Sequence, residues 1–357
     1  MTELELKQLL SKITRPDETA RTAAHAHWAS LAKPLGGLGR LETMLEDAAA
    51  LTGTAELAFS RRAVLVLCAD NGVVAQGVSQ TDQSVTRAVA ENLAARRTSV
   101  CQMAKTARCE VVPVDLGMAG EPVPGVQNCR IAAGTADFTT GPAMTRQQAV
   151  DAIAAGMGLV RAQKAAGVQL LATGEMGIGN TTTSAAVAAV LIRADARSLV
   201  GRGAGLSDAS LARKRDVVER AIDANSPDPA DPIDVLSKVG GFDIAAMCGF
   251  YLGAAASKAP ALLDGVISCT AALCAARLCP NALGYLVGTH ASSEPASQEL
   301  LRELGIKAPL DAGMHLGEGA GAMAYLPLLD SALRVYRDGK TFTATGMAAY
   351  EHFEAGK

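Results

Sequence analysis

Aromatic residues are scarce in this chain: one Trp, five Tyr and six Phe among 357 residues. Stacking platforms for single-stranded nucleic acid have little to be built from. A basic excess is missing as well. Lys plus Arg number 33 and Asp plus Glu 36, a net charge of -3, so no positive field meets a phosphate backbone. Nor does any apolar run reach the ~20 residues of a membrane span. The most apolar stretch, 244–263, is broken by Gly249, Gly253, Lys258 and Pro260. Neither nucleic acid nor membrane is expected as a partner.

The N-terminal stretch MTELELKQLLSKI alternates charge with Leu and lacks the apolar segment of a secretory signal. A surface helix and a cytoplasmic protein are expected. The eight cysteines (68, 101, 109, 129, 248, 269, 274 and 279) form no Cys-x-x-Cys pair and lie mostly in apolar runs. They read as small buried thiols in a reducing compartment. His25 and His27 share a segment, but no cysteine or carboxylate cluster accompanies them, so no metal is expected.

What the chain does have is small residues: 69 Ala and 35 Gly, with 49% hydrophobic and 19% charged residues overall. Such a chain buries a large core and lets backbones approach closely. Residues 1 to about 60 read as helical, with a break at Lys33-Pro34-Leu35-Gly36-Gly37-Leu38-Gly39-Arg40 and a new helix from Leu41 to Leu51. Ala63 to Ala69 is an apolar run too short for a helix and reads as a buried parallel strand.

The alternation recurs along the chain. A helix over 85–105 leads to a strand at 110–114, and a helix over 145–165 to a strand at 168–172. Further strands are predicted at 265–268 and 282–287. Alternating strands and helices imply βαβ units and a parallel sheet covered on both faces. Ligands then bind at the carboxyl ends of the strands, where the loops gather.

Four of those loops carry chemistry. Gly174-Glu175-Met176-Gly177-Ile178-Gly179-Asn180-Thr181 follows a strand and opens an Ala-rich helix. Bare N–H groups at a helix start form an anion site, and glycines let a phosphate approach. The same pattern also suits a plain N-cap at Asn180 or Thr181 behind a tight turn. It is neither a Walker nor a dinucleotide motif.

Gly201-Arg202-Gly203-Ala204-Gly205 precedes a helix capped by Ser207 or Asp208, with Lys214 two turns in. It offers either further phosphate contacts or a solvated basic face. Asp243 reads as a helix cap, with a functional role as the alternative. Gly288-Thr289-His290-Ala291-Ser292-Ser293-Glu294 has hydroxyls for a polar ligand group and a histidine suited to being neutral, or else a capping box. In 310–322 one carboxylate, Glu318, is embedded among Gly, Ala, Leu and Met, a setting that suits either a general base or a first-turn helix acid.

Taken in order, LAKPLGGLGRLE, ADNGVVAQGVS, GEMGIGNTTTSAA, GRGAGL, VGGFDIAAMCGFYLGAA and MHLGEGAGA span residues 31 to 322. Together they resemble the nicotinate-nucleotide:dimethylbenzimidazole phosphoribosyltransferase family of cobalamin lower-ligand synthesis. The resemblance implies transfer of the 5-phosphoribosyl group of nicotinate mononucleotide to 5,6-dimethylbenzimidazole, giving nicotinate and α-ribazole 5'-phosphate, without a cofactor.

It also implies a doubly wound, mostly parallel α/β fold (Rossmann-like), in which 61–329 form the catalytic domain. Residues 1–60 with 330–357 would form a small helical domain, and the chain a homodimer. By the same resemblance Glu318 is the general base. Gly177, Ile178, Gly179, Asn180 and Thr181 form the phosphate cradle, with Glu175 near the ribose and Gly203 and Lys214 as further contacts. Ser79, Met314 and Leu316 line the benzimidazole pocket, and Ser292 faces the nicotinate carboxylate. One departure is Asp70-Asn71-Gly72, where several relatives read Asp-His-Gly.

Overall fold

The run from Arg62 to Ala69 is buried at every position, as a strand covered on both faces is. A computed structural model of the chain describes residues 1–350. Its six strands, β1 (Arg62–Ala69), β2 (Glu110–Gly117), β3 (Gln127–Asn128), β4 (Leu170–Met176), β5 (Ala261–Leu262) and β6 (Leu286–Val287), form one sheet of order β3-β2-β1-β4-β5-β6. Every neighbouring pair is parallel. β1 and β4 are adjacent with β2 on the other side of β1, so the order reverses between them. In doubly wound sheets that crevice, outside the carboxyl ends of the strands, is where ligands bind.

The helices are α1 (Glu3–Leu10), α2 (Glu18–Ser30), α3 (Arg40–Thr52), α4 (Ser84–Ala94), α5 (Ser99–Ala107), α6 (Arg146–Ala165), α7 (Asn180–Ile192), α8 (Ala196–Leu199), α9 (Asp208–Asn225), α10 (Pro232–Val239), α11 (Phe242–Ala256), α12 (Val266–Leu278), α13 (Ala296–Glu303), α14 (Ala320–Asp338) and α15 (Phe342–Thr345). Alternate β1 side chains divide them into two layers. Ala63, Leu65 and Leu67 face a core built with α1 and α6 to α13. Val64, Val66 and Cys68 face a second core shared with α2, α3, α4, α5 and α14. Ala and Gly let the first layer pack tightly: a Cβ at Gly156 or Gly249 would overlap backbone of the facing helix in the α6–α11 pair.

The two chain ends meet. Leu31 bridges Thr341 antiparallel, and the Ala32 N–H donates to the Lys340 carbonyl at 2.8 Å. The His27 imidazole lies 2.6 Å from the Tyr336 carbonyl. α1, by contrast, packs on α6 and α11. Residues 351–357 of the expected terminal unit lie outside the described residues.

Three expectations need correction. The strand predicted at 265–268 is the start of α12, and the strand itself is the two residues Ala261–Leu262 before it. Both stretches are apolar, and periodicity cannot separate a short buried strand from a buried helix start. Over 282–287 only Leu286–Val287 is strand, preceded by a 3-10 turn. The helix predicted over 85–105 is two, α4 and α5, separated at Arg96, whose φ of 62° ends the first.

Candidate active site

β4 leads out of the core at Met176 and turns through Gly177-Ile178-Gly179 into α7. The N-cap of α7 is Gly179, with φ 93°, so neither Asn180 nor Thr181 is the cap. No side chain caps this end. Asn180 is turned beneath the loop: its amide donates to the Glu175 carboxylate and, at 3.1 Å, to Asp243 Oδ2. Ile178 N–H donates to Thr86 Oγ1 at 3.2 Å, which ties the loop to α4. The helix start, with its positive dipole end, is left facing a cavity.

Beside it stands a buried cation. Lys214, 1% exposed on α9, donates through Nζ to Thr181 Oγ1 at 2.8 Å and to the Gly201 carbonyl at 3.0 Å. Burial pulls its pKa down to about 8. The predicted cap Ser207 opens α9 as expected. Gly203 N–H donates to Glu294 Oε1 at 2.9 Å, joining the second glycine loop to the one after β6.

Buried carboxylates stand close by, Glu175 and Asp264 in the cavity lining and Asp243 behind it. Burial pushes the pKa of Glu175 up to about 8, of Asp264 to about 7 and of Asp243 to about 6. The N-cap of α11 is Gly241 and not Asp243, which sits in the first turn: its Oδ1 accepts the Ile244 N–H at 2.9 Å and its Oδ2 accepts from Asn180. Glu318 has φ 59°, between Gly317 at 82° and Gly319 at 91°. That left-handed backbone costs a non-glycine residue about 1–3 kcal/mol. A Cβ on Gly174 would overlap the Glu318 carbonyl, so β4 and this loop touch backbone to backbone. The Glu318 carboxylate accepts the Val100 N–H at the start of α5, at 3.4 Å.

One cavity of about 230 Å³ gathers nearly all the predicted site residues. Glu175, Gly177, Ile178, Gly179, Asn180, Thr181, Gly203, Lys214, Ser79, Ser292, Leu316 and Glu318 all line it. Met314 is not among them. Its carbonyl accepts the Ser293 N–H at 3.0 Å, so its segment is tied back against the neighbouring loop. Leu316 lines the cavity while 54% exposed, an apolar side chain available to a flat ligand.

Sequence reasoning missed several lining residues, among them Asp264, Glu294, Arg202, Val266 and Ile267. The first had a signal. Asp264 follows an apolar run as Asp70 and Asp115 do, but the misplaced strand at 265–268 put it at the wrong end. His290 also lines the cavity, its ring pressed against Gly321, and burial lowers its pKa as expected of a neutral imidazole.

A parallel sheet of this order, with a cavity at its reversal point lined by an open helix start, a buried lysine and carboxylates, defines a doubly wound α/β enzyme. A family model described as phosphoribosyltransferase matches residues 13–347, and the chain belongs to that family. It is similar to the nicotinate-nucleotide–dimethylbenzimidazole phosphoribosyltransferase of Acetivibrio thermocellus, at 45% identity over 90% of this chain and 92% of the relative. The protein of the same name from Escherichia coli is 40% identical over 93% of each. The crystal structure of CobT from Thermus thermophilus matches with a TM-score of 0.87 and 38% identity. That match covers 92% of this chain and 99% of the other.

Proposed function

We propose that this enzyme transfers the 5-phosphoribosyl group of nicotinate mononucleotide to 5,6-dimethylbenzimidazole, giving α-ribazole 5'-phosphate and nicotinate. The observation that carries this reading is the match to relatives of that name over nine-tenths of both chains. It is a glycosyl transfer by single displacement. One benzimidazole nitrogen forms a bond to ribose C1', and the bond from C1' to the pyridinium nitrogen breaks. The electron pair stays on nicotinate, which leaves neutral at that atom and needs no acid. The proton on the other benzimidazole nitrogen passes to Glu318, the general base. Attack from the opposite face turns a β-nucleotide into an α-product.

The phosphate is held at the start of α7 by Gly177 to Thr181, with Lys214 and Gly203. Support comes from the uncapped helix end and from the Lys214 ammonium bonded to Thr181. Anchoring the phosphate there fixes C1' for attack. Glu175 lies near the ribose, Ser79 and Leu316 by the benzimidazole, and Ser292 by the nicotinate carboxylate; each of them lines the cavity. No helix of the described residues is long and apolar enough to cross a membrane. A cytoplasmic homodimer belongs to the same proposal. So does a helical unit of 1–60 with 330–357 beside a catalytic unit of 61–329, supported by the meeting of the chain ends at Leu31 and Thr341.

The experiment is an assay of nicotinate release from nicotinate mononucleotide, with dimethylbenzimidazole, adenine and a phenol competing as acceptors and the products separated by chromatography. Formation of the α-ribazole phosphate in excess over the other products is expected. Preference for another base would replace the acceptor, and binding without nicotinate release would leave a nucleotide-binding regulator.

A further inference from the structure

The loop that carries Glu318 is held in an unfavourable shape. Gly317, Glu318 and Gly319 have three successive positive φ angles, and Glu318 is the one residue of the three with a side chain to strain. Such a backbone persists only where its surroundings fix it. The helix that follows, α14, begins at Gly319, which has no side chain to cap it.

Its first N–H groups are taken instead by a residue 55 positions away. Asp264 Oδ2 accepts the Gly319 N–H at 3.0 Å, and Oδ1 accepts the Gly321 N–H at 2.7 Å. Asp264 is itself fixed. It is 3% exposed, and its own N–H donates to Ser268 Oγ at 2.7 Å in the first turn of α12.

We propose that Asp264 is a positioning residue for the transfer reaction. Its carboxylate grips Gly319 and Gly321, on the C-terminal side of Glu318, and thereby sets the left-handed backbone that presents Glu318 to the acceptor base. This rests on the reading of Glu318 as general base. Two features mark it as more than helix capping. Both oxygens are used, one on each N–H, and an amide side chain has a single acceptor to offer. The two bonds also fall on the first and third residues after Glu318, so loss of either frees the strained residue rather than the far end of α14. Asp264 lines the cavity too, so direct contact with substrate is the competing role.

The test is steady-state kinetics of Asp264→Asn, Glu318→Gln and the double variant with nicotinate mononucleotide and dimethylbenzimidazole. Asp264→Asn is expected to lower kcat by about tenfold or more, with both KM values within threefold of the parent. The double variant is expected to be no slower than Glu318→Gln alone, within twofold, because residues acting through one group are not additive. Wild-type kcat in Asp264→Asn overturns the proposal. Losses that multiply in the double variant, or that fall in KM, overturn it too and assign Asp264 to the substrate.

Near-normal turnover of Glu318→Gln removes the base reading and the proposal with it. A dead Glu318→Gln beside a fully active Asp264→Asn removes the proposal alone. Should Asp264→Asn fail to fold, Ser268→Ala frees the Asp264 backbone and leaves its carboxylate. A kcat lowered severalfold at unchanged KM is then expected, and unchanged kcat overturns the proposal.

Discussion

Two helices of this enzyme start alike and are used in opposite ways. α7 follows Gly177-Ile178-Gly179 and α14 follows Gly317-Glu318-Gly319, and the two N-cap glycines have φ 93° and 91°. Neither glycine has a side chain to satisfy the first N–H groups of its helix. At α14 the acid Asp264 arrives from the end of β5 and takes two of them. At α7 no side chain caps the end, and the amide of Asn180 faces down to Glu175 and Asp243. In the proposed reaction the filled start is the mount for the base and the open one the seat for the phosphate. The same backbone thus serves both tasks, and the neighbouring charge decides which.

The comparison breaks most severely at Glu318. Glu318→Gln keeps the mount and removes the base, so kcat is expected to fall by about 10²- to 10⁴-fold with KM for nicotinate mononucleotide little changed. A loss confined to KM would place Glu318 on the anion side instead.

At the open start the effects run the other way. Lys214→Met removes a charged donor worth about 1.5–3 kcal/mol, so KM for the nucleotide is expected to rise about 10- to 100-fold at similar kcat. A variant with normal KM would show that the helix end holds the phosphate without it. Gly179→Ala puts a Cβ 2.8 Å from Val74 Cγ2 at a φ that L-residues avoid. It is expected to cost about 1–2 kcal/mol of stability, read as a fall in Tm, together with a smaller rise in KM.

The smallest effect is on stability against pH. Glu175 and Asp264 have folded pKa values of about 8 and about 7, well above those of free carboxyls. Between pH 6.5 and 8 the unfolded chain has both ionised, so the folded state binds more protons and stability falls as pH rises. The lowered pKa of His290 acts below this window and that of Lys214 above it. Tm of the ligand-free enzyme is expected to be a few degrees lower at pH 8 than at pH 6.5. Asp264→Asn should flatten that slope, and Lys214→Met should not.

Much of this was legible in the chain. β1, β2 and β4 are long enough for their apolar runs to stand apart from the helices, and each was predicted within a few residues. β5 and β6 have two residues each, shorter than any period that could reveal them. β3, Gln127–Asn128, is an exposed edge with no apolar signal at all. The site loops were visible because glycine, hydroxyl and acid residues cluster where strands end. Asp264 was hidden because its strand is so short that its place in the alternation was lost. Met314, expected in the cavity wall from the family resemblance, is absent from its lining, while His315 and Leu316 beside it are part of it.

The sequence by itself determined the alternation of the long strands β1, β2 and β4 with helices, the glycine turns at their ends and the kinds of side chain those turns present, because these depend on nearby residues. It could not decide which helix start would be open. A helix end is satisfied by whatever carboxylate lies within about 3 Å in space. Only the assembled sheet brings Asp264 to Gly319 and leaves Gly179 facing the cavity.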